Sequence, residues 1–407
     1  MLFLLYYMGG LDVKVPIGNV AGFDYNSQKG LVEKVAAGLS YILIPLLVSR
    51  RWKLCIYLLT KDLSLVFLLL LASLSIIWAD TNVILNINQI RGLLLSTVFS
   101  VYLAASFSIK KQTKMLAVVF GIVILSSILV VFFVPGYGIH LGSNLEGWTG
   151  IFEHKNTLGG HMAWSASIFL ALSLSISRNY LGCLILWIGF ALSCLLVFLA
   201  GSAGGIINLI AVISIVPLSK FLKKTYYKLQ VLLIVSLMLL SGGIFILIAA
   251  NLETIAQLLG KDLTFSGRFP MWLELSKYIA QKPLLGYGFN GFWNSEYGQI
   301  FRSKWAWEEV PHSHNGFVEL ILALGFIGFS FFIISLINSF LRSYKQAYTA
   351  KRLEDILPLQ FLLTFLISNI SESRLLISNN IYWIFYVTMS LSLAFKHMRE
   401  RKLKVIE

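Results

Sequence analysis

Residues 251–316 read NLETIAQLLGKDLTFSGRFPMWLELSKYIAQKPLLGYGFNGFWNSEYGQIFRSKWAWEEVPHSHNG. Up to about Ser313 this is the longest segment of the chain without an apolar run of membrane length, and such runs dominate on both sides of it. Of 407 residues, 57% are hydrophobic and 13% charged, against roughly a quarter charged in an average soluble chain. The expected fold is an all-α polytopic membrane protein with one large outward-facing loop, in which an apolar frame holds the loop at one face of a bilayer.

A span needs about 20 apolar residues. Eleven runs qualify, at 30–49, 61–79, 86–108, 115–134, 160–177, 180–200, 204–219, 229–250, 315–340, 356–371 and 380–396. A twelfth, at 2–11, is too short to span comfortably and reads as a half-helix, or as the rest of a span whose upstream part is missing. No basic n-region or small-residue cleavage site marks a cleavable signal peptide. The chain divides into N-terminal spans (1–250), the loop (251–313) and C-terminal spans ending in a basic tail (314–407).

The formal charge of +14 raises the question of nucleic acid, but placement of the basic residues answers it. Of the 33 Lys and Arg residues, 21 fall in one alternating set of loops and in the C-terminal tail. Basic residues are retained on the cytoplasmic side. The basic balance is therefore topology, no nucleic-acid partner is called for, and the 135–159 loop, the 251–313 loop and the turn from Ser371 to Asn380 face outward. Cys55, Cys183 and Cys194 sit in or beside apolar runs without CxxC spacing and read as packing residues.

The spans hold almost no ionisable group near a midplane: Arg91 lies near an outer end and Glu319 about one turn inside its span. Ion-coupled transporters place charged groups at depth. Here the reactive groups gather at the outer interface, as expected of an enzyme acting on a lipid-anchored substrate.

Arg268 opens a short interfacial helix, with Ser266 placed to cap it and Pro270 in its first turn. A guanidinium beside free backbone N–H groups suits a phosphate or pyrophosphate; the competing reading is an anchor to lipid headgroups. His312 and His314 flank Ser313 at the start of the next span, which Ser313 or Asn315 caps. A neutral imidazole there can take a proton from a sugar hydroxyl, or simply serve the cap. In Glu153-His154-Lys155-Asn156-Thr157, Lys155 offers a point charge for phosphate and Asn156 or Thr157 a helix cap; the bland reading is an ordinary cap with an exposed lysine. Glu372 and Arg374 share a tight outward turn, and their spacing favours a pair with each other. No Asp-x-Asp, GxxxxGK[ST], GxSxG or carboxylate cluster of metal spacing occurs. No metal or cofactor is expected, so a leaving group would be stabilised by fixed cations.

Ser266-Gly267-Arg268, Trp272, Pro283-Leu284-Leu285-Gly286-Tyr287-Gly288, His312-Ser313-His314-Asn315 and Leu324-Gly325-Phe326-Ile327-Gly328 together resemble, in order, the O-antigen ligase and polysaccharide polymerase superfamily. Gly150 to Gly159 and Asn369 to Asn379 look like its exopolysaccharide-production branch, of the succinoglycan-polymerase type. The resemblance implies transfer of a glycan from undecaprenyl diphosphate to an acceptor hydroxyl without a metal, at the bacterial inner membrane with the active face outward. It matches Arg268 to an arginine that holds the carrier diphosphate, and His314 to a histidine that acts on the acceptor. The ligase branch often carries Ser-Arg-Gly near 200, where this chain has Gly201-Ser202-Ala203-Gly204-Gly205, so a second diphosphate arginine is missing; Lys155 or Arg91 is expected to substitute. His312, Asn315, His154, Asn156, Glu372 and Arg374 are placed as supporting residues. Implied partners are the lipid-linked glycan, the bilayer, a flippase and a chain-length regulator. Polymerisation is favoured over ligation to lipid A-core or another acceptor. The rival from another class is a non-catalytic glycan or lipid exporter.

Overall fold

The computed structural model describes residues 1–9, 31–140, 147–175, 180–222, 268–305, 312–350 and 352–406. The expected span at 229–250, the loop start through Ser266 and Gly267, Trp307 and Pro311 lie outside them. The described helices are α1 (Leu2–Tyr7), α2 (Leu31–Ser49), α3 (Trp52–Leu59), α4 (Leu63–Leu74), α5 (Val83–Ser106), α6 (Ile109–Phe133), α7 (Pro135–Gly138), α8 (Lys155–Ser173), α9 (Tyr180–Ala200), α10 (Ala203–Leu222), α11 (Arg268–Gln281), α12 (Glu296–Trp305), α13 (Gly316–Tyr348), α14 (Leu357–Ser371) and α15 (Ile381–Ile406). Two-residue strands, Ile139–His140 and Gly147–Trp148, pair antiparallel.

The all-α membrane architecture stands. Among the described residues, four helices are long and apolar enough to cross a membrane, and the bent pair Trp52–Leu59 and Leu63–Ile77 makes a fifth. Three further expected runs are present as shorter apolar helices, Lys34–Ser49, Ala203–Ile215 and Ile381–Lys396, and the helix at the centre of the bundle is not lipid-like. Every residue of α8 from Leu158 to Ser173 is buried, among them His161, three serines and Trp164. Trp164 packs on Phe120, Phe361, Tyr382 and Phe385 with ring centroids 4.9–5.3 Å apart. The first fourteen residues of α15 are likewise buried. A helix surrounded by protein can carry polar side chains that lipid would not tolerate.

The run at 61–79 forms α4 and the 3-10 turn Ser75–Ile77; the short helix α3 before it is bent by 94° against it, and the break buries a carboxylate. Asp62, 3% exposed, caps α4 by accepting from Leu65 N at 3.1 Å. It also accepts from Ser335 Oγ at 2.7 Å and Ser390 Oγ at 2.8 Å, tying α4 to α13 and α15. An ionisable group thus does sit inside the bundle, and its lone pairs are used by the frame.

The basic loops meet at the far end of the bundle from His314. There Lys110 pairs with Glu354 at 3.1 Å, Arg342 donates to Lys61 O, and Lys396 donates to Gln346.

The loop is docked by two motifs that fit each other. Tyr287 N and Gly288 N donate to Leu322 O and Ala323 O, while Phe326 N and Ile327 N donate to Pro283 O and Leu284 O, all at 2.8–3.2 Å. The exchange breaks α13 at Gly325, whose φ of +62° leaves the helix. A Cβ there would lie 2.2 Å from the Leu284 backbone, so only glycine allows the approach. Above this joint, Met271, Leu275, Tyr278, Tyr287, Phe292 and Phe301 form a small core.

Candidate functional site

At the loop end of the bundle, one carboxylate collects side chains from distant parts of the chain. Glu372 follows the last residue of α14. Its Oε1 lies 3.2 Å from Arg268 Nη2 and accepts from Asn156 Nδ2 at 2.8 Å. Its Oε2 lies 3.4 Å from His314 Nδ1. Arg268 also donates to the carbonyl of Ser371, so the guanidinium closes over the end of α14. Free carbonyls at a helix C-terminus attract a cation.

His314 is held from several directions. Its backbone has φ +51°, a conformation few non-glycine residues adopt without support. The support is local: His314 N donates to His312 Nδ1 at 3.2 Å, and Asn315 caps α13 by accepting from Phe317 N and Val318 N. Ser313 is buried, with Trp272 Nε1 donating to its carbonyl and its N–H donating to Glu319 Oε2. Trp293 Nε1 holds the other oxygen of Glu319 at 2.6 Å. Gly316 lets α14 come close, since a Cβ there would lie 2.0 Å from Asn369 Oδ1. That same Asn369 oxygen accepts from Arg374 N, which fixes the turn carrying Glu372.

Charge states follow from these surroundings. Burial alone would raise the Glu372 carboxyl. The hydrogen bond to His314, the Arg374 and His314 charges and the Asn156 amide outweigh it and hold the group down at about 2, so it is ionised at any physiological pH. His312 is pushed down to about 4, first by burial and then by His314; it is neutral at pH 7. His154 is lowered too, chiefly by burial. The rings of His312 and His314 stand 4.3 Å apart.

Of the residues singled out in the sequence, Arg268, His314, Asn156 and Glu372 are in direct contact, and His312 is beside them. Two expectations are corrected. Glu372 pairs with Arg268 and His314; Arg374, 9% exposed, turns away to Thr157 Oγ1 and the face of Tyr382. The cap of α8 is His154, whose Nδ1 accepts from Asn156 N at 3.1 Å, which frees the Asn156 amide for Glu372. Lys155 lies beside the second strand: a Cβ on Gly147 would sit 3.2 Å from Lys155 Cδ and 2.4 Å from Ala200 O. Its side chain therefore runs next to the end of α9, where the second arginine is missing. That segment is tightly packed, with Ser202 2% exposed and Gly205 against Gly159. Arg91 stands apart, stacked on Tyr41 with its Nε 3.2 Å from the phenol oxygen. Trp293 and Tyr297 pack with the loop core. Glu319, which positions Ser313, was not singled out as a site residue.

His312, His314 and Glu372 have ligand-capable atoms within 4.8 Å of one another, a grouping that the sequence spacing did not reveal. Glu372 already faces the Arg268 guanidinium, whose charge opposes a second cation on the same carboxylate.

Residues 188–333 match the family described as O-Antigen ligase. That range contains Arg268 and the His312–Asn315 run; Asn156 and Glu372 lie outside it. Exopolysaccharide production protein ExoQ of Rhizobium meliloti (strain 1021) is 24% identical over 219 residues, covering 50% of this chain and 48% of ExoQ. Two proteins named "Putative polysaccharide ligase" are also similar. The one from Rickettsia bellii (strain RML369-C) is 30% identical over 156 residues, 36% of this chain and 34% of that protein. The one from Rickettsia felis (strain ATCC VR-1525 / URRWXCal2) is 28% identical over 147 residues, 33% and 32%. The chain thus matches about half the length of these relatives or less.

Proposed function

We propose that this chain, which carries an O-antigen ligase family domain, transfers a glycan from a polyprenyl diphosphate carrier to an acceptor hydroxyl, polymerising repeat units of an envelope polysaccharide. The carrying observation is the Glu372 cluster: one carboxylate orients a histidine and an arginine drawn from opposite ends of the loop, at one end of an apolar bundle. The site faces outward from the bacterial inner membrane.

In this reading Arg268 binds the diphosphate, with Lys155 as a further cation beside α9. Glu372 accepts from His314 Nδ1–H and so leaves Nε2 unprotonated. Nε2 takes the proton as the acceptor oxygen bonds to the anomeric carbon and the carbon–oxygen bond to phosphate breaks, its electron pair leaving on the diphosphate. No metal is required. Chelation should leave the rate intact; loss on chelation, restored by a divalent cation, would instead make His312, His314 and Glu372 ligands.

The test uses membranes from a host supplied with its own lipid-linked repeat units. Wild type, Arg268→Ala and His314→Ala are compared by gel. A ladder in wild type with only single repeats in both variants supports polymerisation. Free polymer in all three, with an acceptor-linked ladder only in wild type, makes the chain a ligase. Equal products throughout return it to an exporter.

A further inference from the structure

We infer that the cleft on the His312 side of the cluster is the subsite for the acceptor saccharide. The inference rests on the transfer reading and adds the second substrate to it. The cleft encloses about 410 Å³; Gln89, Asn290, Asn294, Arg302, His312 and Ser378 line it together with apolar side chains that include Phe289 and the run Leu375 to Ile377.

Its chemistry is that of a sugar site. Planar amides and a guanidinium present paired donors and acceptors for ring hydroxyls, and Ile377 among them offers apolar surface to ring C–H groups. The contrast with the larger groove between α2, α4 and α5 is sharp. That groove, of about 750 Å³, is lined almost entirely by aliphatic side chains, with Arg91 its only charged residue, and suits a hydrocarbon chain.

The cleft is also built. Ser378 Oγ donates to Gln89 Oε1 at 2.6 Å, joining the turn after Glu372 to α5. Trp293 Nε1 on Glu319 fixes the loop wall, and Asn294 Nδ2 donates to Asn290 O. These bonds leave the Gln89 amide nitrogen and the Asn294 amide oxygen without an intramolecular partner among the described residues.

Position selects the acceptor over the donor. Arg268 and Asn156, which meet Glu372, are not among the described residues that line the cleft, whereas His312, its ring 4.3 Å from that of His314, is. A leaving diphosphate on Arg268 requires the nucleophile to reach the anomeric carbon from the opposite side. A saccharide in the cleft leaves Arg268 to the diphosphate, and its His312 wall brings it next to His314.

The probe is the oligosaccharide released by mild acid from the host's lipid-linked repeat. Its binding is measured on full-length protein in nanodiscs for wild type, His314→Ala, Asn294→Ala and Arg302→Gln, alongside binding of the lipid-linked donor. Asn294 and Gln89 are exposed, so truncation there spares the fold. His314→Ala should bind the oligosaccharide like wild type, while Asn294→Ala and Arg302→Gln each weaken it about tenfold and leave donor affinity unchanged. Failure of wild type to bind the oligosaccharide overturns the inference, and so does weakened donor binding with oligosaccharide binding intact. Transfer is assayed separately on the same samples: oligosaccharide binding with no transfer by wild type refutes the transfer reading and leaves the glycan site standing.

Discussion

Glu372→Gln separates the two jobs of the carboxylate. Glutamine has nearly the same shape, so its oxygen can still accept from Asn156 at 2.8 Å and face Arg268 at 3.2 Å. The other oxygen, now 3.4 Å from His314 Nδ1, becomes an amide that donates. Nδ1 must then accept, and the ring proton moves to Nε2, the atom required to be vacant. A correctly placed general base is worth about 10²- to 10⁴-fold in rate, and the wrong tautomer should cost most of that. Weakening the ion pair, whose side chains are 20% and 16% exposed, adds about 1–3 kcal/mol of lost stability. The assay is initial transfer rate per folded protein in nanodiscs, with donor affinity measured in parallel. A variant that keeps more than about a tenth of the rate, or one whose loss lies entirely in donor affinity, would refute the tautomer argument. The pH sign is also fixed. A carboxyl held at about 2 contributes fully above its ordinary pKa of ~4.3 and is lost only as pH falls towards 2. An acid limb between pH 5 and 7 therefore cannot be Glu372.

His312, lowered to about 4, takes up its proton more readily unfolded than folded, so stability should fall as pH drops from ~6.5 towards 4. In His312→Asn, Tm should vary less over that window; an unchanged slope would reject the burial argument. Asp62→Ala removes the α4 cap and leaves Ser335 and Ser390 without their acceptor, at a cost of about 2–4 kcal/mol, read as a lower Tm with normal activity per folded molecule. Full inactivation at unchanged Tm would instead give the buried carboxylate a functional role. Gly325→Ala places a methyl 2.2 Å from the Leu284 backbone at φ +62°. Limited proteolysis between 268 and 305 should accelerate and transfer should fall at least tenfold, whereas a protease-resistant, active variant would contradict the docking scheme.

Helix positions were legible because apolar runs and charged loops alternate: the runs at 180–200 and 356–371 became Tyr180–Ala200 and Leu357–Ser371. The helix α3 before Asp62 was not, since its eight residues are too few to read as a span. Arg268, His312, His314 and Asn156 stood out by residue type at helix starts. The role of Glu372 was obscured by its neighbour Arg374, two residues on, because spacing suggests a pair and says nothing of direction. Its actual partners lie 58, 104 and 216 residues away, which no local pattern encodes. Glu319 looked like a stray charge in a span for the same reason: its partners are a backbone N–H six residues back and an indole 26 residues back.

That one carboxylate serves both Arg268 and His314 has a consequence for the order of events. With no anion present, Arg268 spends its charge on Glu372 and on the end of α14. A diphosphate, carrying more charge and more acceptor oxygens than a single carboxylate, competes for the same guanidinium. As Arg268 turns to it, Glu372 loses its nearest cation and keeps Asn156 and His314 as partners. Charge no longer spent on the guanidinium would strengthen the 3.4 Å contact to His314. The carboxylate would thus strengthen the base only when a donor is bound. Under the transfer reading, an acceptor hydroxyl in the cleft would then not be activated before a leaving group is in place.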